Sequence, residues 1–424
     1  MVLQKIRTDF AKNFLTLFTG SALAQGITLA LAPVLARIYD PADFGVWSLF
    51  TSFVAIVGVA ATLRYELAIV LPQKDTDAKS LVLLGLLISG ALSVLLFFIL
   101  LVFKGPLSYF SAFNQIGAYL FLTPIMVFFI GAYQSFNYWS TRKKTFKSNA
   151  YSRVGQNSAM SATNLGYGVV QNGAGGLIFG TLIGQIVGTL IIAYKPLRNL
   201  RKFFKDVSVE SVHQNRKKYI NFAKINTPHA LLDTFQNFAV VFILEFYFTA
   251  LILGLYAFAF RILKAPLSLI GSALAQVFFE KATRAIENGQ SIRPLFFRLQ
   301  KNMFLIAIIP FAILFFYAPE IFSFVFSDKY TQAGKISQIL VPWIFLNFLI
   351  SPFSNLPIVL NQQRGAFVIT VIDFLLKLAS LAIGGYTKSY TNAFILLSLS
   401  GSLLYIVAIG WYYYISGKTA HVTY

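Results

Sequence analysis

The sequence predicts an all-α polytopic membrane protein of twelve transmembrane helices, grouped as six and six. Three observations predict this. Of the 424 residues, 57% are hydrophobic and only 12% charged, where a soluble protein carries about 25% charged residues. Apolar windows near 20 residues recur along the whole chain, the length that crosses a bilayer as a helix. Basic residues collect in alternate connecting segments, as they do in cytoplasmic loops.

The first window, 14–36, follows a short basic N-terminus and lacks a small-residue cleavage site. It reads as a retained span and not as a signal peptide. The second, 43–63, is reached through the polar turn Asp40-Pro41-Ala42-Asp43 and ends at Arg64-Tyr65-Glu66. This first hairpin, Pro33 to Ala78, is the stretch the rest is organised around. Spans at 81–103, 116–138, 149–170 and 175–194 complete the first group. The loop 195–222 is basic with interspersed Phe. It is expected to lie along the inner leaflet and to join an N-terminal six-helix lobe (1–208, with the start of the linker) to a C-terminal one (209–424). The second group is placed at 223–247, 252–277, 302–318, 336–358, 366–386 and 392–415.

Twelve spans put both termini on one side. That side then holds 26 Lys and Arg against five in the opposite loops, which places the termini in the cytoplasm. The net charge of +20 would suggest nucleic acid in a soluble protein. Here it is topological, and no nucleic-acid partner is expected.

A faint repeat supports two halves. Leu35-Ala36 to Phe44-Gly45-Val46-Trp47 aligns with Leu244-Glu245 to Leu253-Gly254-Leu255-Tyr256, an offset of 209. A mid-span proline before a basic loop is expected in both, Pro124 before Arg142 and Pro342 before Arg364. An even number of spans per half makes this a parallel repeat.

No catalytic motif is present. There is no HExxH, Walker A or GxSxG sequence, and no cysteine. His213, His229 and His421 are scattered, and Asn172-Gly173-Ala174-Gly175-Gly176 reads as a turn between spans. The chain is expected to be no enzyme, with no cofactor and no metal.

The informative residues are charges inside spans, each costing about 2.5–3.5 kcal/mol at the bilayer centre unless it faces water or a partner. Arg261 and Lys264 stand three apart in the eighth span, hence on one face, just before Pro266, which allows a bend. Two adjacent cations are suited to holding an anion; the alternative is pairing with Asp233 or Glu245 of the seventh span. Arg37, Arg64 and Arg153 sit at span ends, as cavity cations or as side chains snorkelling to the interface. Asp373 and Lys377, at i and i+4, read as a structural ion pair or as an ion-coupling carboxylate with its partner. In the first span Thr16, Gly20, Ala24/Gln25 and Thr28 share a face. Such a stripe packs helices closely, and Gln25 and Thr28 equally suit a hydrophilic cavity.

The run Gln25…Ala32-Pro33…Ala36-Arg37-Ile38-Tyr39-Asp40-Pro41-Ala42-Asp43-Phe44-Gly45, with Arg64-Tyr65-Glu66-Leu67-Ala68-Ile69-Val70-Leu71-Pro72, resembles bacterial polysaccharide-biosynthesis flippases of the Wzx type. These share a superfamily (MOP) with MATE antiporters and the lipid II flippase MurJ. Gly254-Leu255-Tyr256-Ala257 and Arg261-Ile262-Leu263-Lys264-Ala265-Pro266 extend the resemblance to the second half. It implies two six-helix lobes around a central cavity open alternately to each side of a bacterial inner membrane. It implies an undecaprenyl-pyrophosphate-linked oligosaccharide as substrate, with O-antigen-type polymerase and chain-length proteins as pathway partners. Family members hold the head group with cavity cations, a role the resemblance carries onto Arg261 and onto Arg37, Arg64 and Lys264. MATE-type coupling acids are missing from the first span.

Three other classes stay open at this level, one of them a non-transporting scaffold for a synthesis complex. A cation-coupled small-molecule exporter would favour an acidic cavity. A membrane polymerase or glycosyltransferase would need a sizeable outer loop, and the longest expected here, about 319–335, holds only Glu320, Asp328 and two lysines.

Overall fold

The structure is a computed structural model describing residues 2–417 apart from 288 and 361, with side-chain surroundings given from residue 19 onward except at 237, 287, 358 and 359. Thr16 of the first-span stripe, His421 and the tail beyond 417 thus lie outside the described side chains. Every long element is an α-helix. In order they are α1 Val2–Ile38, α2 Pro41–Gly58, α3 Asp75–Val102, α4 Thr123–Arg142, α5 Phe146–Val170, α6 Gly175–Arg198, α7 Thr227–Tyr247, α8 Ala250–Glu287, α9 Arg293–Phe326, α10 Thr331–Ile350, α11 Gln363–Tyr386 and α12 Tyr390–Ser416.

Among the described residues, ten spans are long and apolar enough to cross a membrane, or eleven if the bent pair Phe222–Gln236 and Phe238–Tyr247 counts as one. The helix outside that count is α5, whose Ser, Asn, Gln and Arg side chains make it too polar to be recognised by hydropathy.

The chain divides into two compact units, Met1–Phe242 and Ile243–Tyr424. In the first, Tyr65, Ile69, Leu81, Phe136, Trp139 and Ile192 form a buried cluster. Phe203 and Phe204 of the basic linker pack on that cluster, with Phe203 edge-on to Trp139 at 5.1 Å. These rings tie the linker to the protein's own core. The linker is partly helical (Leu200–Phe204 and Val209–Lys218), and Asn215 anchors it by donating to Ser80 Oγ at 3.0 Å. In the second unit, Phe278, Phe296, Phe353, Tyr412 and Ile415 form the corresponding cluster.

Two expectations are corrected. The second helix stops at Gly58 instead of running to 63, because the backbone tightens there into i→i+3 turns (Ala60 N to Val57 O, Ala61 N to Gly58 O, Leu63 N to Ala60 O) that lead into Leu63 and Arg64 at positive φ values of 47° and 61°. Pro124 does lie inside an apolar span, Ser111–Arg142, at the point where the 3-10 segment 117–122 gives way to α4, and Pro342 lies inside α10. The loops expected at 278–301 and 319–335 are mostly helix, since α8 runs to Glu287 and α9 spans Arg293–Phe326. The hairpin repeat keeps its register. Ile38 and Tyr247 end α1 and α7, Pro41 and Ala250 begin α2 and α8, and both offsets are 209.

The first hairpin turn is built locally. Pro41 occupies the first helical position, which needs no N–H donor, and Asp43 Oδ2 accepts from Asp40 N at 2.9 Å, half of a capping box. Tyr39 is 1% exposed and donates to the Asn164 carbonyl at 2.6 Å. A Cβ at Gly176 would stand 2.0 Å from its hydroxyl, so this glycine makes room for the ring.

Candidate functional site

In the first unit the polar helix α5 runs beside α1 and α6, and its side chains find their partners there. Arg153 donates to Ser21 Oγ. Thr28 donates to Asn157 Oδ1 at 3.0 Å, and Gln156 donates to Gln185 Oε1 at 2.8 Å. Gln25 lies one turn from both Ser21 and Thr28 on α1, so it sits on the seam that Arg153 and Asn157 face. Its Oε1 is buried without a hydrogen-bond partner, an acceptor waiting for a donor. The face combines both alternatives for the stripe: a Cβ at Gly20 would meet Ala150 Cβ at 2.6 Å, so the helices pack closely while Gln25 and Thr28 stay polar.

That close packing extends to a pattern the sequence reading passed over. Gly176, Gly180, Gly184 and Gly188 repeat every fourth residue on α6, and added Cβ atoms at the last three would stand within 3.0 Å of Asn164, Gln156 or Met160 of α5. The small-xxx-small spacing was the available signal.

In the second unit charge and aromatic surface alternate. Arg261 lies about 16 Å along α8 at 1.5 Å per residue, near half the depth of a hydrocarbon core about 30 Å thick. It is half-buried, while Lys264, one turn on, is exposed. Lys264 Nζ sits 4.8 Å above the Phe260 ring. Phe260 stacks on Trp343 of α10 at 6.0 Å, and Lys377 of α11 lies 5.5 Å over Trp343. Lys377 also pairs with Asp373 at 2.5 Å, leaving Asp373 Oδ1 buried with no hydrogen-bond partner. Gly401 of α12 lets Trp343 approach, since a Cβ there would be 2.5 Å from its ring. Beside them Asn347 donates to Tyr405 Oη at 3.0 Å. Asp373 is thus one carboxylate on a surface carrying Lys264 and Lys377, with Arg261 a turn away. The cation–π contacts hold both ammonium groups in place without neutralising them.

Of the carboxylates weighed as partners, Asp233 is exposed on α7 in the first unit and Glu245 is 4% exposed in the second. Among the described residues Lys264 has no carboxylate within ion-pair distance. Arg37 and Arg64 are not brought together, because they flank α2, whose 18 residues span about 27 Å. Arg37 caps α1 by donating to the Pro33 carbonyl at 3.0 Å.

Arg64 leads to a site not singled out from sequence. Glu66 is 1% exposed, accepts from the Thr62 hydroxyl and pairs with Arg64 at 3.4 Å. Two successive left-handed residues, Leu63 and Arg64, aim the guanidinium inward at roughly 1–2 kcal/mol each. Arg64 is therefore committed to Glu66, and its Nε is buried without a hydrogen-bond partner. A lone acid within the otherwise apolar run Tyr65–Leu71 was the signal.

This turn lies outside the spanning helices. There burial pushes the Glu66 carboxyl above its ordinary value of 4.5, against the lowering by Thr62 and Arg64. An acid raised in the folded state contributes stability that is intact below 4.5 and lost as pH rises through the folded value. The melting temperature of the purified protein should therefore fall as pH rises from about 4.5 toward neutrality, and Glu66→Gln should flatten that slope. Parallel melting curves for both proteins would refute it.

Among the described residues no group of three His, Asp or Glu is placed to hold a metal.

The family profile described as "Polysaccharide biosynthesis protein" matches residues 34–335, most of the chain. The chain belongs to this family. The match takes in Ala36–Gly45 and Arg64–Pro72 of the first hairpin and the α8 cations, begins after Gln25 and Pro33, and ends before Asp373 and Lys377. No curated protein matches the chain. Among solved structures, it superposes with a TM-score of 0.70 on an inward-facing multidrug resistance MATE family transporter of the MOP superfamily, at 17% identity over 96% of each chain. It superposes at 0.64 on the lipid II flippase MurJ in an inward closed conformation, at 14% identity over 96% of this chain and 90% of that one. A MOP superfamily transporter from Pyrococcus furiosus, described as having a binding pocket of reverse polarity, matches at 0.62 and 15% identity over 96% and 97%. This member of the polysaccharide biosynthesis family is thus a multi-pass membrane protein with a MATE/MurJ-like fold.

Proposed function

We propose that this protein flips undecaprenyl-pyrophosphate-linked oligosaccharide units across the bacterial inner membrane by alternating access, cytoplasmic to periplasmic, with both termini in the cytoplasm. The observation that carries the reading is the fixed pair of ammonium groups, Lys264 and Lys377, on the Phe260–Trp343 step beside Arg261, in a member of a polysaccharide-biosynthesis family. A pyrophosphate carries about two negative charges, and each moved outward across an inside-negative membrane gains roughly 2.3 kcal/mol per 100 mV. The protein then needs to solvate the anion in transit and to do no chemistry on it, while the polyprenyl tail stays in lipid. Arg153, Gln25, Thr28 and Asn157 of the first unit offer donors and acceptors suited to sugar hydroxyls. Polymerase and chain-length proteins of the same pathway would take the product.

The test is reconstitution into liposomes with a fluorescent lipid-linked oligosaccharide, following its accessibility to a membrane-impermeant reagent. Protein-dependent exposure accelerated by an inside-negative potential is the expected result. Transport of a cationic dye with no movement of the lipid-linked sugar would replace this reading by a MATE-like exporter.

A further inference from the structure

At the basic end of the first unit, the ends of α4 and α6 and the start of α5 enclose a groove of about 610 Å³. Its contents do not belong to the sites described above. Lys143 is held in place there, with its ammonium 5.1 Å over the Trp139 ring and paired with Asp75. Asp75 is shared with Arg142, whose Nε stands at 3.1 Å, so two cations face one carboxylate and a positive charge is left over. Across the groove Lys195 is exposed and makes no ion pair among the described residues. Thr145 and Ser148 line the same space, at the N-terminus of the 25-residue α5, where first-turn N–H groups and the helix dipole favour an anion.

The remaining wall is apolar and exposed. Leu190 is 50% and Tyr194 63% exposed, and both line the groove. Tyr151, 66% exposed, stands on the α5 side. Tyrosines in such positions mark the level of lipid headgroups, and basic pockets between spans on the cytoplasmic side suit lipid phosphates.

We infer that this groove is a site for an anionic glycerophospholipid, whose phosphate lies between Lys143 and Lys195 over the start of α5 and whose acyl chain lies along Leu190 and Tyr194. The inference rests on the membrane-spanning fold and not on the identity of the transported substrate. The volume suits a headgroup with the first part of a chain. For Lys195, compensation of the dipole at the end of α6 accounts for the charge but not for its facing Lys143 across a groove.

The test is native mass spectrometry of the purified full chain titrated with phosphatidylglycerol or phosphatidylcholine. The wild type should retain phosphatidylglycerol preferentially, and Lys143→Gln with Lys195→Gln should weaken retention about thirtyfold, at the strength of two basic side chains near an anionic surface. Lys144→Gln with Lys147→Gln, exposed lysines outside the groove, should leave it unchanged. Equal retention of the two lipids by the wild type, or equal losses in the two double variants, would overturn the site. So would displacement of the lipid by inorganic phosphate, which would make it a free-anion site. Should the groove variant not fold, the unaltered chain still decides. Brominated phosphatidylglycerol should quench a fluorescence component that brominated phosphatidylcholine spares and that Trp139→Phe removes; equal quenching by both lipids counts against the site.

Discussion

Alanine at Lys264, or at Arg261, is expected to cut outward translocation of the lipid-linked sugar about tenfold to a hundredfold. Each charge-assisted contact to a phosphate is worth roughly 1.5–3 kcal/mol, and tenfold corresponds to about 1.4 kcal/mol. Lys264 is the cleaner probe. It is exposed, its ammonium is placed over Phe260, and no carboxylate among the described residues pairs with it, so its removal leaves no buried charge behind. Lys264→Ala should reach the membrane at wild-type level with an unchanged melting temperature, while surface polysaccharide is lost. Arg261→Ala should give the same loss. Lys377 is a different case, because removing it strands Asp373, which is 17% exposed. Breaking a pair at that depth destabilises as well as deactivates. Wild-type polymer in both Lys264→Ala and Arg261→Ala would remove the assignment.

Leucine at Gly184 is expected to cost more in folding than any single charge change costs. A Cβ at Gly184 already meets the Gln156 carbonyl oxygen at 2.7 Å and Met160 Cβ at 2.9 Å, so neither a backbone atom nor a helix-fixed one can step aside. Overpacking of this kind costs about 1–3 kcal/mol for a few added carbons, and the isobutyl group adds to it. Forcing α6 from α5 also separates Gln156 from Gln185 and opens the most polar of the long helices to lipid. The expected result is little folded protein in detergent extracts and a melting temperature lowered by several degrees in what remains. Gly166→Leu, on α5 but with nothing within 4 Å of its added Cβ, is the control. Equal yields and equal melting temperatures for the two variants would show that the Gly176–Gly188 stripe does not set the spacing of these helices.

Composition, window length and the one-sided distribution of Lys and Arg were enough to determine, from sequence alone, an all-helical membrane chain with two related hairpins. These are properties of local stretches, and the solvent imposes them directly: a bilayer accepts only long apolar segments with internally satisfied backbones. The 209-residue offset was legible for the same reason, because the turn chemistry around Asp40-Pro41 acts within a few residues. What each charge does was not legible. Arg64 and Lys264 look alike as basic residues at apolar stretches. The tertiary structure gives one to the buried Glu66 through two left-handed residues and sets the other over an aromatic ring without a carboxylate. The polar helix α5 shows the same limit. Hydropathy counts its Asn and Gln side chains as penalties, and only their partners on α1 and α6, brought close by glycines far away in sequence, turn those penalties into hydrogen bonds.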